Sequence, residues 1–370
     1  MSNSKISYSQ FLYLFFINRI VMVLTFLPIF NAPPKNQDVW LSVVFMYPFS
    51  ILASLPLLYL CSLFPNQTFT SILYTVFGKA SKVLSILYVW FFFHITAIQI
   101  AQFVEFMATA VLPETPVLFL IVTMLIVCLY ALKKGIEPLA RFAQITSFIT
   151  MLSLAIIMII SLRFFDPSVF EPVLEKNILQ PIFGGIYLCS LSSEIITIGM
   201  VNPYIVKVKN KKCILKDITK TIALAFLLVV IFYLAITVIV LSLFGYTQAS
   251  RLSFPFYSAI KVLSMAEFLE RFESLHMAIW IMGIFLKITY FMYILLTTVQ
   301  ELRNTADYFA YAIPFTSVLA PFVFYIIPDF LSLDRFMSYR YFTLYSYIFI
   351  FLIPLFTLIF AKIKQRLSNR

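Results

Sequence analysis

Four charged residues stand inside long apolar stretches of the sequence. They are Arg19, Glu105, Glu194 and Lys287. A charge at the centre of a bilayer costs about 2.5–3.5 kcal/mol on insertion scales, so such residues usually face the interior of a helix bundle. There they recognise a charged ligand group, or they form an ion pair, such as Lys287 with Glu194, that fixes helix packing. For Arg19 the alternatives are a ligand carboxylate and the carbonyl groups at a helix end.

A set of small residues precedes Glu194 in the sequence, and we expect it to contact a ligand. The backbone of an unwound membrane helix, together with nearby hydroxyl groups, can coordinate an ammonium or a carboxylate group. Serines in membrane helices also donate hydrogen bonds to carbonyls of the preceding turn, and both interpretations stay open. Polar residues of the third and eighth apolar runs are expected to complete the pocket. The candidate ligand contacts are Arg19, Thr96, Gly184, Gly185, Ser190, Ser192, Ser193, Thr289 and Tyr290.

The remaining polar groups are interpreted as structural, and the signatures of common catalytic sites are missing. Glu105 stands close enough to a membrane interface to be hydrated. Of the two histidines, His94 and His276, His94 is interpreted as a packing residue rather than a proton sensor. The sequence has no phosphate-binding glycine loop, no Cys/His metal set and no Ser/His/Asp arrangement. We therefore expect no enzyme activity, no cofactor and no metal.

The composition is that of a membrane protein. The chain has 370 residues, of which 62% are hydrophobic and 12% charged, whereas soluble domains carry roughly 25% charged residues. Loops between apolar runs hold most of the net charge of +11, which is typical of cytoplasmic loops and argues against a nucleic-acid partner. The basic segment 207–220 is interpreted as a topology determinant that touches anionic membrane lipid. A docking surface for another subunit is the alternative.

A helix needs about 20 apolar residues to cross a bilayer, and ten runs are interpreted as spans. Lys and Arg are in excess in alternate loops, which predicts that the N- and C-termini are both cytoplasmic. Residues 1–370 are therefore expected to form one transmembrane domain. The outside connection 244–273 is expected to be a lid or interfacial helix, or else a linker without function. The predicted spans are 11–31, 39–63, 83–112, 117–132, 141–162, 178–200, 219–243, 274–299, 308–327 and 340–361.

The ten spans divide evenly into two repeats, at about 11–162 and 178–361. Many secondary transporters consist of two such inverted repeats of five helices, and the first helix of each repeat is interrupted near the midplane. The sixth run has plausible interruption points at its glycine pair and within 190–193. In the first run an interruption is less expected, because no glycine precedes Pro28.

Six short stretches, in order along the chain, resemble one protein family. They are Ile6-Ser7-Tyr8-Ser9-Gln10, Asp38-Val39-Trp40-Leu41-Ser42, Leu112-Pro113-Glu114-Thr115-Pro116, Lys134-Gly135-Ile136-Glu137-Pro138-Leu139-Ala140-Arg141, Phe268-Leu269-Glu270-Arg271-Phe272-Glu273 and Trp280-Ile281-Met282-Gly283. As an ordered set at helix boundaries they are similar to the permease-like B subunits of spore germination receptors, within the amino acid–polyamine–organocation superfamily. The chain departs from that family in the first helix, where Asn18-Arg19-Ile20-Val21-Met22 replaces a segment that commonly holds a glycine.

The resemblance implies an all-α, LeuT-like fold in which helices one, three, six and eight converge on a ligand site. It implies a subunit that binds a small nutrient, such as an amino acid or a sugar, and passes a conformational change to its partners to trigger germination. Those partners would be the receptor A subunit and the lipoprotein C subunit, in the spore inner membrane. Lys287 would supply a fixed positive charge where sodium-coupled relatives hold an ion. The alternatives are a proton-coupled amino acid permease and a scaffolding subunit without a ligand.

Overall fold

The computed structural model describes residues 5–206, 211–266, 272–326 and 335–368, and most of this part of the chain is helical. Fourteen α-helices are labelled here in chain order within those ranges. They are α1 Tyr8–Val23, α2 Val39–Leu63, α3 Phe69–Phe77, α4 Ser81–Phe106, α5 Val117–Leu132, α6 Ile136–Ser161, α7 Leu179–Ser190, α8 Glu194–Val201, α9 Lys211–Ala249, α10 Pro255–Ala266, α11 Phe272–Arg303, α12 Ala312–Ile326, α13 Tyr339–Tyr347 and α14 Ile353–Ser368.

Helix length and apolar composition mark this protein as one that crosses the membrane many times. Within the described ranges, six helices are long and apolar enough to span a bilayer, and a bent pair adds a seventh if it counts as one span. The six are Val39–Leu63, Phe69–Val111, Ile136–Phe164, Ile214–Ala249, Glu273–Arg303 and Tyr339–Leu367. The predicted first, fourth and ninth spans coincide with shorter apolar helices, at Tyr8–Val23, Val117–Leu132 and Phe309–Tyr325. The all-helical membrane class is therefore confirmed.

Helix α11 lies at the centre of the bundle. Of its most apolar window 83% is buried, compared with 33% for Ile136–Phe164. It packs against α1, α4, α5 and α6, while α2 packs against α7 and α9. The peripheral helices α5 and α6 expose large apolar side chains instead, which suits a surface in contact with lipid. These are Leu118, Phe119, Tyr130, Phe148 and Ile159.

Helix α1 ends in the middle of the first predicted span. Ser7 and Gln10 form a capping box at its start, which satisfies two orphan donors of the first turn. The helix stops at Val23, and Leu27 has a left-handed backbone with φ of 38° before a short 3₁₀ turn, Pro28–Asn31. The residue before a proline is disfavoured in the helical conformation. The first predicted span, 11–31, is therefore interrupted, which was the less expected arrangement because no glycine marks the break.

The sixth predicted span is also broken, between α7 and α8. The two helices meet at a bend of 41° across a break of no more than four residues, within the serine segment where an interruption was expected. The second expected interruption point is wrong, because Gly184 and Gly185 lie inside the continuous helix α7. A Cβ atom on Gly184 would lie 2.3 Å from the carbonyl oxygen of Pro33, and one on Gly185 would lie 2.6 Å from the Cβ of Phe45. These glycines allow close packing of α7 against α2.

The connection 244–273, predicted to lie outside, contains a packed helix. Helix α9 continues to Ala249, with a non-helical backbone at Gly245, and α10 follows at Pro255–Ala266. One face of α10 is buried against α9 and α11 through Phe256, Ala259 and Ile260. Residues 267–271 of the expected amphipathic segment, and 207–210 of the basic segment, lie outside the described residues. The choice between a lid and a linker stays a prediction.

Candidate functional site

A buried ion pair joins three helices at the centre of the bundle. Lys287 of α11 places its Nζ 2.5 Å from Oε1 of Glu194, and the two side chains are 4% and 0% exposed. Lys287 Nζ also donates a hydrogen bond of 2.7 Å to the backbone carbonyl of Asn18 in α1. Glu194 is the first residue of α8, so the pair ties α1, the α7–α8 break and α11 together. An ion pair between these two residues was one of the alternatives predicted from the sequence, and it is present in the structure.

Arg19 lies beside this pair, on the next residue of α1. Its side chain is buried, and Nη2 donates a hydrogen bond of 3.1 Å to the carbonyl oxygen of Leu188. Leu188 belongs to the last turn of α7, where carbonyls lack partners within the helix. Arg19 therefore does bond a helix end, one of the two predicted alternatives. Its Nε atom has no hydrogen-bond partner among the described residues, so part of the guanidinium is still available.

A cavity opens next to Arg19 and Lys287. It encloses about 470 Å³ of space between the side chains, part of which is open at its mouth. Its walls come from α1 and the break after it, from α4, from the α7–α8 break, from α11 and from the segment leading into α13. Five lining residues are polar: Arg19, Gln99, Gln102, Ser193 and Lys287. The others are apolar: Met22, Phe26, Pro28, Ile95, Ile98, Leu191, Met337 and Phe342.

Two glutamines of α4, neither of which was predicted from the sequence to contact a ligand, line the cavity. Gln99 is 2% exposed, and neither its Nε2 nor its Oε1 has a partner among the described residues. Gln102 donates a weak hydrogen bond to the sulfur of Met337. A buried amide without a partner costs free energy, and residues three apart share one face of a helix. A pair of glutamines at this spacing in an apolar run was therefore a signal in the sequence that could have identified this part of the site.

Of the nine predicted ligand contacts, only Arg19 and Ser193 line the cavity. Thr96 and Ser190 donate hydrogen bonds to carbonyls of the preceding turn, at 2.6 and 2.7 Å, which is the structural alternative left open for hydroxyl groups. Ser192, Thr289 and Tyr290 are buried but do not line the cavity. Gly184 and Gly185 face α2 instead.

Two other candidates, Glu105 and His94, lie on α4 away from the cavity. Glu105 is half-buried near the end of that helix. His94 shares a hydrogen bond of 3.1 Å between its Nδ1 and the hydroxyl of Tyr345, and its ring stacks on Trp90 with the centroids 5.4 Å apart. This aromatic setting suits a packing role for His94.

A second group of contacts, called here the basal latch, lies at the same end of the bundle as the start of α1. Backbone hydrogen bonds of 2.9 Å run from Ile6 N to the carbonyl of Tyr204 and from Val206 N to the carbonyl of Ile6. At the end of α11, Glu301 accepts hydrogen bonds from the hydroxyls of Thr68 and Thr70. The latch therefore ties the start of α1 to the end of α8, and α3 to α11.

Together, these features define a helical integral membrane protein with a charged, partly apolar cavity where two helices break. Residues 5–329 match the family model described as "Spore germination protein". The chain therefore belongs to the spore germination protein family.

Curated relatives agree with that family. The chain is 25% identical to spore germination protein KB of Bacillus subtilis (strain 168) over 305 residues, covering 79% of this chain and 77% of the relative. It is 22% identical to spore germination protein A2 of the same organism over 290 residues, covering 78% and 76%. Spore germination protein XB of Bacillus anthracis is 25% identical over 198 residues, covering 52% and 53%.

Proposed function

We propose that this chain is the membrane-embedded B subunit of a spore nutrient-germinant receptor, and that the cavity beside Arg19 and Lys287 binds the nutrient. The observation that carries the proposal is a cavity at two helix breaks, walled by polar and apolar groups from several helices. Its relatives are named as spore germination proteins, which supports a role in germination rather than in metabolism. The same kinship argues against an enzyme.

The proposed fold is a LeuT-like pair of inverted repeats, at about 11–162 and 178–361. In this arrangement the six long helices, the bent pair and the three shorter apolar helices are the ten spans. Two observations support it. The first helix of each proposed repeat is interrupted, after Val23 and after Ser190. The cavity and the ion pair also draw on the first, third, sixth and eighth spans.

Lys287 is proposed to act as a permanent positive charge between the two broken helices. Its ammonium group contacts the Asn18 carbonyl in α1 and the Glu194 carboxylate in α8, the kind of position in which sodium-coupled transporters hold an ion. A nutrient that prefers one arrangement of these helices shifts the population toward that arrangement. The change would pass to the receptor A subunit and the lipoprotein C subunit, in the spore inner membrane with both termini cytoplasmic.

Deletion of the gene in the source spore former tests this function. Spores that lack the chain are expected to lose the germination response to at least one nutrient of a panel of amino acids and sugars. Responses that other receptors mediate should persist, which controls for general spore defects. Unchanged responses to the whole panel, together with normal germination, would contradict the proposal.

One observation favours a second function, a proton-coupled amino acid permease. Glu194 Oε2 is buried and has no hydrogen-bond partner among the described residues, so one oxygen of this carboxylate is left for a coupling partner. Reconstitution of the purified chain in liposomes separates the two functions. Uptake of a labelled amino acid driven by a pH gradient, and lost in Glu194→Gln, would favour the permease.

A further inference from the structure

The buried charges around the cavity do not balance. Lys287 and Glu194 neutralise each other at 2.5 Å. Arg19 is 1% exposed, and among the described residues no carboxylate lies within ion-pair distance of its guanidinium. The carbonyl end of α7 offsets part of this charge, because a helix C-terminus carries about half a negative charge. A net positive charge is therefore left at the cavity wall.

Among the described residues, none that lines the cavity is acidic. Its charged residues are Arg19 and Lys287, and the other polar residues are two glutamines and a serine. An ammonium group of a ligand would therefore meet only neutral acceptors here, such as the Gln99 amide oxygen. An anionic group would meet the guanidinium. The electrostatics of the site favour a ligand with a negative charge over one that is neutral or cationic.

Two buried polar side chains at the cavity wall have atoms without partners. They are Nε of Arg19 and both amide atoms of Gln99. Buried donors and acceptors in native proteins are nearly always paired, and an unpaired one costs about 1–3 kcal/mol. A guanidinium presents its donors in a planar fork that matches a carboxylate, so one carboxylate can accept two of its N–H groups. The rest of the wall is apolar, through residues such as Phe26, Ile95 and Ile98.

We propose that the cavity selects a small organic carboxylate with an apolar body, held by Arg19 and Gln99. The carboxylate receives hydrogen bonds from the Arg19 guanidinium and the Gln99 amide, and the apolar body packs against α4 and the break after α1. An ammonium group on the ligand is dispensable, so that amino acids and simple carboxylic acids are both ligands and sugars are not. This inference rests on the proposed function of the cavity as a nutrient site.

Matched probes test the proposal without any mutation. The full chain in lipid nanodiscs is titrated with the amino acids L-alanine and L-valine, the carboxylates propionate and 3-methylbutanoate, and the alcohols alaninol and valinol, with glucose and sodium nitrate beside them. Binding is measured by calorimetry and by the shift in unfolding temperature, since a ligand stabilises the state it binds. At least one amino acid and its matched carboxylate should bind within about tenfold of each other. The alcohol should bind at least about tenfold more weakly, as expected for loss of a charged hydrogen-bond partner.

Four outcomes overturn the proposal. The first three are equal binding of an amino alcohol and its parent amino acid, binding of glucose in preference to all carboxylates, and failure of every carboxylate to bind. Nitrate binding as tight as that of the best carboxylate also contradicts it, because the apolar body would then contribute nothing. If glucose binds and the deletion strain loses its glucose response, the proposed receptor function stands and only the ligand class is wrong. If the deletion strain keeps every response, the receptor function itself fails.

Two variants assign the binding to the named residues. Arg19→Gln and Gln99→Leu are each expected to weaken carboxylate binding at least about tenfold. Arg141→Gln is the matched control, since Arg141 is an exposed arginine in an ion pair with Glu137 and is not part of the cavity. If Arg19→Gln fails to fold for want of its bond to Leu188, Gln99→Leu still tests the site, because Gln99 has no partner to lose. Unchanged carboxylate affinity in a folded Gln99→Leu protein excludes Gln99 as a ligand contact.

Discussion

At the scale of single residues, the account depends on Lys287. Its ammonium group touches a carboxylate and a backbone carbonyl on two other helices, and the side chains of the ion pair are almost fully buried. Removal of one partner of a buried ion pair leaves the other charge uncompensated, which usually destabilises a protein by about 3–5 kcal/mol. Replacement of both partners by neutral residues costs less, because no lone charge stays buried.

A double-mutant cycle tests this coupling. Lys287→Met is expected to lower the free energy of unfolding by about 3–5 kcal/mol, and Lys287→Met with Glu194→Gln by less than the single change. The measurement is chemical unfolding of the purified chain in detergent. Glu137→Gln, which breaks the exposed pair with Arg141, should cost only about 0.3–0.5 kcal/mol. If the effects of Lys287→Met and Glu194→Gln on the free energy of unfolding simply add in the double variant, the ion pair contributes no coupling.

The residues of the candidate site could be predicted only in part from the sequence. The costly charges at Arg19, Glu194 and Lys287 could be found because charges are rare in apolar spans, and the structure places these three together. Gln99 was missed because an amide is less conspicuous than a charge. The hydroxyl groups could not be assigned, since a serine that faces a ligand and one that bonds its own helix look the same in a sequence.

At the scale of helices, the two breaks shape the cavity. The break after α1 contributes Phe26 and Pro28 to the wall, and the α7–α8 break contributes Leu191 and Ser193. A glycine pair is compatible with an unwound segment and with close helix packing, because it frees the backbone and removes the side chain at once. Because α2 lies against the glycine pair in the structure, the pair serves close helix packing and not an unwound segment. The break at Leu27 was missed although Pro28 marked it, because the absence of a glycine was given more weight.

The role of the first break can be tested by a substitution that allows the residue before position 28 to become helical. Pro28→Ala lifts the restriction on Leu27, and we expect α1 to extend toward the cavity and lower ligand affinity severalfold, since fewer molecules keep the binding arrangement. Affinity is measured with the same carboxylate probes. Pro321→Ala is the control, because Pro321 lies inside α12 and does not line the cavity. Equal effects of the two changes on affinity would count against a special role for the first break.

Close packing of α7 on α2 gives another prediction. Gly184→Ala brings a Cβ to 2.3 Å from the backbone carbonyl oxygen of Pro33, whereas Gly283→Ala meets a Val21 side-chain methyl at 2.8 Å. A side chain can shift more easily than the backbone. We expect Gly184→Ala to destabilise the protein by about 1–3 kcal/mol and Gly283→Ala by less, as measured by unfolding in detergent. The reverse order would argue against this packing.

At the scale of the whole molecule, the sequence predicted a helical membrane protein and the bounds of several helices, such as Val39–Leu63 and Val117–Leu132. Apolar runs are easy to recognise, because the bilayer requires them. The first run nevertheless ends early, at Val23, and the sixth is bent between Ser190 and Glu194, because proline and helix breaks set these ends. The short helix α3 before the third span was not foreseen, although Gly78, with φ of 58°, provides the turn between α3 and α4.

The proposed membrane orientation can be checked with single cysteines. Lys5→Cys and Lys364→Cys are expected to lie on the cytoplasmic side, and Asp166→Cys on the opposite side. In a chain whose native cysteines are replaced by alanine, a membrane-impermeant maleimide added to intact cells should label only Asp166→Cys. Labelling of all three after permeabilisation is the control. Labelling of Lys5→Cys in intact cells would reverse the proposed topology.

The central claim is that the cavity beside Arg19 and Lys287 binds the nutrient that triggers germination. The most direct measurement is the nutrient dose–response of spores that carry Gln99→Leu in place of the natural chain, with Arg141→Gln spores as the control. The account predicts that Gln99→Leu raises the half-maximal concentration of the cognate nutrient at least about tenfold. Responses through other receptors should not change. Wild-type sensitivity of Gln99→Leu spores, at normal protein levels, would contradict it.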